Sequence, residues 1–271
     1  MISVGFRFSL AEQGSHADID GQPNSVFEPK LDGLRAFLVK AEGKIVLINR
    51  RERNISEQFP EVIEAALNLP DGVVLDGEIT VPTLDGEGNC PSTASRSTVI
   101  GKSRIAERAA RMPAIFACFD LLFLKGRDIR REPFEARRGL LHALHAESGG
   151  FFLVPQMMDG ELAWKVWVTC EGGEGIMMKD LNAPYTGSRS GAWIKIKAWA
   201  EADFLVLGFT SQEREVSTLC LSNGHEVNCP RANEGTEVKE ALARGDEVTA
   251  VVKYLPPYRF PILREVRVKA R

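Results

Sequence analysis

The pattern of apolar residues changes character near residue 200, and that change limits the folds open to this chain. Before it, short runs with the two-residue period of strands alternate with stretches at helical spacing. After it, only short strand-like runs recur, parted by turn residues and one helix. A chain of 271 residues with two such textures is expected to form two domains, 1–200 and 201–271. In the first, residues 26–50 predict two or three strands with a turn at Glu42-Gly43, and Pro60 opens a helix over 60–69 with Val62, Ile63, Ala66 and Leu67 at helical spacing. Residues 73–75 and 79–81 read as strand on either side of Asp76-Gly77, and 115–124 as a buried strand. Pro133 begins a helix with Leu140, Leu141 and Leu144 inward, 162–170 is another, and 175–179 and 193–199 are strands. That is an α+β unit of packed antiparallel sheets and helices.

The remaining residues predict strands at 204–209, 216–221, 226–228, 248–253 and 264–268, a hairpin turn at Asn223-Gly224, and a short helix at 237–244. Five short strands and one helix in this length suit a small all-β barrel of the OB type.

Composition excludes several classes of function. No apolar run approaches the ~20 residues that cross a bilayer, so no membrane partner is expected. The opening MISVGFRFSL is too short for a signal peptide and reads as mature sequence. Five cysteines without CxxC spacing argue against a disulfide framework or zinc ribbon, and point to thiols in a reducing cytoplasm. His142 and His145 lie one helical turn apart without a third ligand. The strings at 18–21 and 85–88 are turns rather than calcium loops, and no phosphate-binding glycine loop occurs. The net charge of −3 is unevenly spread: residues 54–95 carry eight acids and no base, residues 96–138 eleven bases and five acids. Bases on one face grip a polyanion even when the chain is acidic overall; solvated helix surface is the ordinary alternative.

The most informative string is Glu28-Pro29-Lys30-Leu31-Asp32-Gly33-Leu34-Arg35. Lys-x-Asp-Gly-x-Arg arises by chance in a chain of this length with odds of roughly 0.002, at ~1/20 per position. By itself it also fits a strand ending in an Asp-Gly turn with exposed charges. Downstream follow Asn49-Arg50-Arg51, Asp76-Gly77-Glu78, Phe119-Asp120-Leu121-Leu122, Glu174-Gly175-Ile176-Met177-Met178-Lys179, Trp193-Ile194-Lys195-Ile196-Lys197 and a tail with Arg259-Phe260-Pro261 and Val266-Arg267. In order and spacing, from Phe27 to Arg267, these resemble the covalent nucleotidyltransferases, and most closely the ATP-dependent DNA ligases.

The resemblance implies a nucleotidyltransferase (adenylation) domain followed by an OB-fold domain, with ATP as cosubstrate, Mg²⁺ or Mn²⁺ as the metal, and nicked double-stranded DNA as the partner of a monomer. Lys30 would be the nucleophile that takes AMP, with Glu28 at the adenine edge, Arg35 and Glu78 near the ribose, and Phe119 stacked on the base. Lys179, Lys195 and Lys197 would neutralise phosphate oxygens. Glu78 and Glu174 would stand around the metal, Arg50 and Arg189 would contact nucleotide or DNA phosphate, and Arg267 would orient pyrophosphate. The chemistry fits those residue types. A free lysine amine, pKa ~10.4, is neutral in only ~4 of 10,000 molecules at pH 7, and nearby cations with partial burial raise that fraction. Lys195 and Lys197 share one strand face because side chains alternate. Without the family context Phe119 and Trp193 read as core, and Trp193 is given no site role.

The resemblance departs at the end. The family's last motif continues Arg-x-Asp-Lys, whereas Arg267-Val268-Lys269 puts a base at the acidic position. Only 27 residues precede Glu28, so the expectation is a minimal two-domain form without the helical DNA-binding domain of larger members, hinged near 198–203 and gripping a nick alone or with a repair partner protein. An RNA ligase, a GTP-using capping-type transferase, and a DNA-end-binding scaffold that has lost self-adenylylation remain open alternatives.

Overall fold

The computed structural model of this chain describes residues 7–19, 23–82, 90–212, 215–229, 231–256 and 259–270. The chain divides into two compact bodies, residues 1–197 and 198–271. The first contains, in chain order, β1 (Leu10–Gly14), β2 (Ser25–Pro29), β3 (Leu34–Ala41), β4 (Lys44–Asn49), α1 (Pro60–Ala65), β5 (Val73–Thr80), α2 (Cys90–Ser97), α3 (Lys102–Arg111), β6 (Ile115–Leu124), β7 (Arg127–Asp128), α4 (Phe134–Ser148), β8 (Phe152–Leu153), α5 (Gly160–Trp164), β9 (Gly175–Asp180) and β10 (Arg189–Lys197).

Two sheets carry the architecture of this body. One runs β4-β3-β5-β6-β7 with β8 beside β6, the other β1-β10-β9-β2. Strand alternation explains how they stack. On β3, Ala36 and Leu38 enter a core with Leu75, Phe116, Leu141 and Leu144, while Phe37 and Val39 face the other way and join Phe119, Tyr185 and Trp193. The larger sheet therefore buries both faces, one against α1 and α4 and the other against the smaller sheet. The smaller sheet in turn sends Phe27, Ile176, Met178 and Ile196 outward against Ala163 and Trp167 of the α5 region. Its inward residues, on the opposite parity, are the chemically interesting ones.

Several sequence expectations need correction. β5 runs unbroken through Asp76-Gly77, which is fully buried strand rather than a turn. Gly77 is required there because a Cβ would sit 2.6 Å from both the Ala117 carbonyl oxygen and the Phe116 ring on β6. The sheets are antiparallel except for two parallel pairs, β1 with β10 and β6 with β8. The helix at 60–69 ends at Ala65 and tightens into a 3₁₀ turn, which turns Leu67 out and Leu69 in. Leu140 is exposed rather than inward. Beyond Trp164 the helix widens into a π turn over Lys165–Cys170, and β10 stops before Trp199. The β3–β4 hairpin turns at Glu42-Gly43, both with positive φ, as a twisted two-residue turn demands. The turn at 85–88 and part of that at 18–21 lie outside the described residues.

The second body holds β11 (Ala200–Gln212), β12 (Glu215–Leu221), β13 (Glu226–Asn228), α6 (Ala232–Arg244), β14 (Glu247–Leu255) and β15 (Arg259–Lys269). They form one antiparallel sheet in the order β13-β12-β11-β14-β15, with the turn at Asn223-Gly224 joining β12 to β13. Val238 and Ala241 of α6 pack on Leu219, Val227, Val248, Ala250 and Val252. α6 begins five residues earlier than its apolar spacing indicates, because its first turn sets Gly235 against Val216, and a glycine offers no apolar side chain that spacing could register. No helix among the described residues is long and apolar enough to cross a membrane.

Candidate active site

A cleft of about 420 Å³ opens between the inward faces of the two sheets. The smaller sheet contributes Glu28, Lys179, Trp193, Lys195 and Lys197, and the larger contributes Arg35, Glu78 and Phe119; Lys30, Arg50 and Arg189 complete the wall. Eight of these lie on strands whose alternate residues enter a core, so burying the apolar set aims the polar set inward. Arg50 is presented by a turn whose backbone N–H groups at Arg51 and Arg53 donate to the Asn49 side-chain oxygen.

Lys30 follows directly on β2, and its backbone N–H donates to the Gly175 carbonyl at 2.9 Å, which ties the motif to β9. Its Nζ lies 2.5 Å from Glu174 Oε2, and Glu174 Oε1 lies 2.8 Å from Lys197 Nζ. Burial pushes the Glu174 carboxyl up, but Lys30 and Lys197 outweigh it and hold the group below the ordinary carboxylate range. Across the cleft, Glu78 Oε1 accepts the Gly33 N–H at 2.7 Å. Gly33 permits that approach: a Cβ there would lie 2.3 Å from the Ile79 carbonyl oxygen. Burial raises Glu78 to about 7 against the pull of the Gly33 hydrogen bond and of the Lys30 and Arg35 charges. The Lys195 amine is lowered, first by burial and then by Arg189, Lys197, Lys30 and Arg50, so these five cations crowd one end of the cleft. Glu174 offsets part of this charge, and the excess favours an anionic ligand.

The other end is aromatic. The Lys179 ammonium, fully buried, pairs with Glu28 Oε2 at 2.6 Å and stands 4.3 Å and 4.4 Å from the ring centres of Phe119 and Trp193. Burial lowers the Lys179 pKa, and Glu28 opposes the shift. Glu28 Oε1 accepts from Gln156 Nε2 at 2.7 Å. The Phe119 and Trp193 rings meet edge to face at 5.8 Å. Arg35 lines the cleft, but its guanidinium is already held by Asp76, at 3.1 Å and 2.6 Å, and by the Ser9 carbonyl at 2.7 Å. Asp76 also accepts from the Tyr185 hydroxyl at 2.6 Å. Behind the wall, Asp120 and Arg137 form a two-pronged ion pair, both contacts 2.8 Å and both side chains fully buried.

The structure thus gathers Glu28, Lys30, Arg35, Arg50, Glu78, Phe119, Lys179, Arg189, Lys195 and Lys197 around one cleft, with Glu174 in contact with Lys30. Arg267 belongs to the second body, where it contacts Asp203 and Glu265, both at 3.0 Å. Trp193, read as core from sequence, is buried yet forms part of the cleft wall. Gln156, Asp76 and Tyr185 were not legible as site residues; the Asp-Gly-Glu string marked only Asp76's neighbourhood. The basic stretch over 96–138 does not form one surface. Arg96, Arg137 and Arg138 are buried, Arg96 bonding the Gln58 and Met112 carbonyls and Glu61. The exposed bases of α3, with Arg104, Arg108 and Arg111 beside Ser95 and Thr98, line a separate groove.

Two stacked sheets thus close on a lysine that shares its end of the cleft with four other cations. Residues 10–197 match the family model described as ATP dependent DNA ligase domain, and the chain belongs to that family. It is 35% identical over 191 residues to DNA ligase C2 of Mycolicibacterium smegmatis, covering 69% of this chain and 53% of that protein. It is 28% identical over 277 residues to the DNA ligase of Nanoarchaeum equitans, covering 93% and 48%. The chain therefore spans about half the length of these relatives. Among solved structures, mycobacterial DNA ligase D complexed with ATP and MES superposes with a TM-score of 0.61 at 24% identity, over 97% of this chain and 95% of that one. A Lig E DNA ligase described as binding DNA with a minimal scaffold superposes with a TM-score of 0.67 at 23% identity, over 97% and 100%.

Proposed function

We propose that this chain is an ATP-dependent DNA ligase that seals nicks in duplex DNA through a lysyl-AMP intermediate on Lys30. The observation that carries the reading is the place of the Lys30 amine, at the cation-ringed end of a cleft whose other end is aromatic. In the first step Lys30 Nζ attacks the α-phosphorus of ATP; a P–N bond forms, the bond to the β-phosphate oxygen breaks, and pyrophosphate leaves. A 5′-phosphate oxygen then takes the AMP from Lys30, breaking the P–N bond. Finally the 3′-hydroxyl attacks the activated 5′-phosphorus and AMP departs.

In this reading the aromatic end holds the base and Lys195, Lys197, Arg189 and Arg50 surround the phosphates, where preset charge is worth most in a desolvated site. Arg35, fixed on Asp76, presents a rigid edge near the ribose. Glu174, held ionised, anchors Lys30 until nucleotide enters. Among the described residues no cluster of three or more His, Cys, Asp or Glu forms a metal cage. Glu78 and Glu174 are the carboxylates that would hold a Mg²⁺ or Mn²⁺ ion, Glu174 by giving up a lysine contact, with the other ligands from phosphate and water. Such an ion would supply positive charge against the phosphate oxygens. Residues 1–200 serve as the adenylation domain, and residues 201–271 as an OB domain that grips duplex DNA and brings Arg267 to the pyrophosphate.

The test is the intact mass of the chain after incubation with ATP and Mg²⁺ or Mn²⁺. A single AMP adduct on Lys30, absent from Lys30→Ala, with sealing of a nicked duplex, is expected. Neither adduct nor sealing with any divalent metal would overturn the reading.

A further inference from the structure

Glu28 is the one carboxylate that lines the aromatic end of the cleft among the described residues, and it is 2% exposed. An ionised carboxylate only accepts hydrogen bonds, over about four lone-pair positions. Both of its oxygens are engaged by protein: Oε2 in an ion pair with the Lys179 ammonium and Oε1 by a hydrogen bond from the Gln156 amide. Gln156 is 128 residues away in sequence, yet its place is fixed by backbone. The next residue, Met157, exchanges both hydrogen bonds with Phe27, the residue before Glu28, at 2.8 Å and 2.9 Å. This bridge sets Gln156 opposite Glu28 irrespective of side-chain rotamers. Held at both oxygens, the carboxylate cannot turn about its last torsion, and its remaining acceptor capacity keeps a fixed direction. Lys179 alone would leave that torsion loose, because an ammonium is satisfied from many directions.

We propose that Gln156 is a positioning residue that locks the Glu28 carboxylate so that the site selects a purine with an amino group at position 6 over one with an oxo group. A fixed anionic acceptor attracts the exocyclic N–H and repels a carbonyl oxygen at the same place, leaving both partners unsatisfied. The inference rests on the reading that this cleft holds a purine nucleotide.

The experiment compares ATP with inosine triphosphate, which differs at position 6 and lacks any amino group, as donors to Lys30 in the full chain, followed by intact mass. In Gln156→Met, close in volume but without a donor, the preference for ATP should fall about tenfold or more through a higher KM for ATP, with the maximal rate nearly kept. Gln156→Asn, one methylene short, should lose about threefold or more and serves if the Met variant does not fold. Unchanged selectivity in a folded variant, whatever happens to its melting temperature, overturns the proposal. If the wild-type chain forms no adduct, the ligase reading fails separately. The two nucleotides are then compared by binding to the wild type and to Gln156→Asn, read by tryptophan fluorescence, and equal preference in both overturns the proposal on its own.

Discussion

The Lys30 ammonium and the Glu174 carboxylate stand 2.5 Å apart although 144 residues of chain separate them. The contact exists because β2 and β9 are hydrogen-bonded neighbours and both residues lie at the same end of that pair. Glu174 is held below its ordinary pKa, so it adds stability above its unfolded value near ~4.3, and this is lost as pH falls through the folded value. Glu174→Gln should therefore lower the melting temperature at pH 7, and the gap to wild type should shrink as pH falls below about 4. A gap that persists in acid would show that packing rather than charge is at work. Adduct formation in the same variant should fall about 100-fold, since the lysine pair loses its common anchor.

Glu78 shows the opposite sign. Its carboxyl is raised to about 7, so the folded state prefers the neutral acid. Above the unfolded value near ~4.3 the unfolded chain holds fewer protons than the native one, and stability falls with rising pH until about 7. Glu78→Gln retains an oxygen for the Gly33 N–H and should be more stable than wild type at pH 8, on the order of 2 kcal/mol, with no difference below pH ~4. Urea unfolding at the two pH values measures this. If Glu78 helps hold a cation, wild-type adduct formation should rise with pH through about 7, and Glu78→Gln should flatten that rise.

Asp120 and Arg137 predict a stability effect confined to the scaffold. Both are fully buried, and Arg137 also donates to the Glu132 and Ala183 carbonyls. Arg137→Met leaves a buried carboxylate without its partner and should cost about 3–5 kcal/mol in chemical denaturation. Removing both charges together, as Asp120→Leu with Arg137→Met, should recover a large part of that loss. A double variant as unstable as the single one would locate the cost in the carbonyl contacts instead.

Under the ligase reading, the exposed bases that line the α3 groove would meet DNA, with Arg111 also paired to Glu107 at 3.2 Å. Arg104, Arg108 and Arg111 recur at spacings of four and three, one face of a helix, and all are exposed. Replacing all three with Gln should reduce the slope of log affinity for nicked duplex against log salt by about 2–3 and leave adduct formation on Lys30 unchanged. An unchanged slope would remove α3 from the DNA-binding surface.

Much of this was readable from short windows of sequence. The hairpin turn at Glu42-Gly43, the buried run of β6, and the shared face of Lys195 and Lys197 all follow from strand period and turn chemistry. Those depend on neighbours a few residues apart. The motif order likewise marked Lys30, Glu174 and their companions before any contact was known. Whether Asp76-Gly77 turns or continues was not readable, because Gly77 is held in strand by the close approach of β6, about forty residues on. Nor was the burial of Arg96 and Arg137, whose guanidinium groups look like surface charge until Glu61 and Asp120 fold against them.

Local order in this chain was written into residue spacing: where strands run, which way their side chains alternate, and which lysine stands in the Asp-Gly motif. The electrostatic character of the cleft came only with packing. Glu28, Gln156 and Lys179 come from three distant segments, and none has an unusual environment until two sheets exclude water from between them. Desolvation and charge pairing act through space at a few ångströms, so the strength and direction of those groups are properties of the folded arrangement and not of any stretch of sequence.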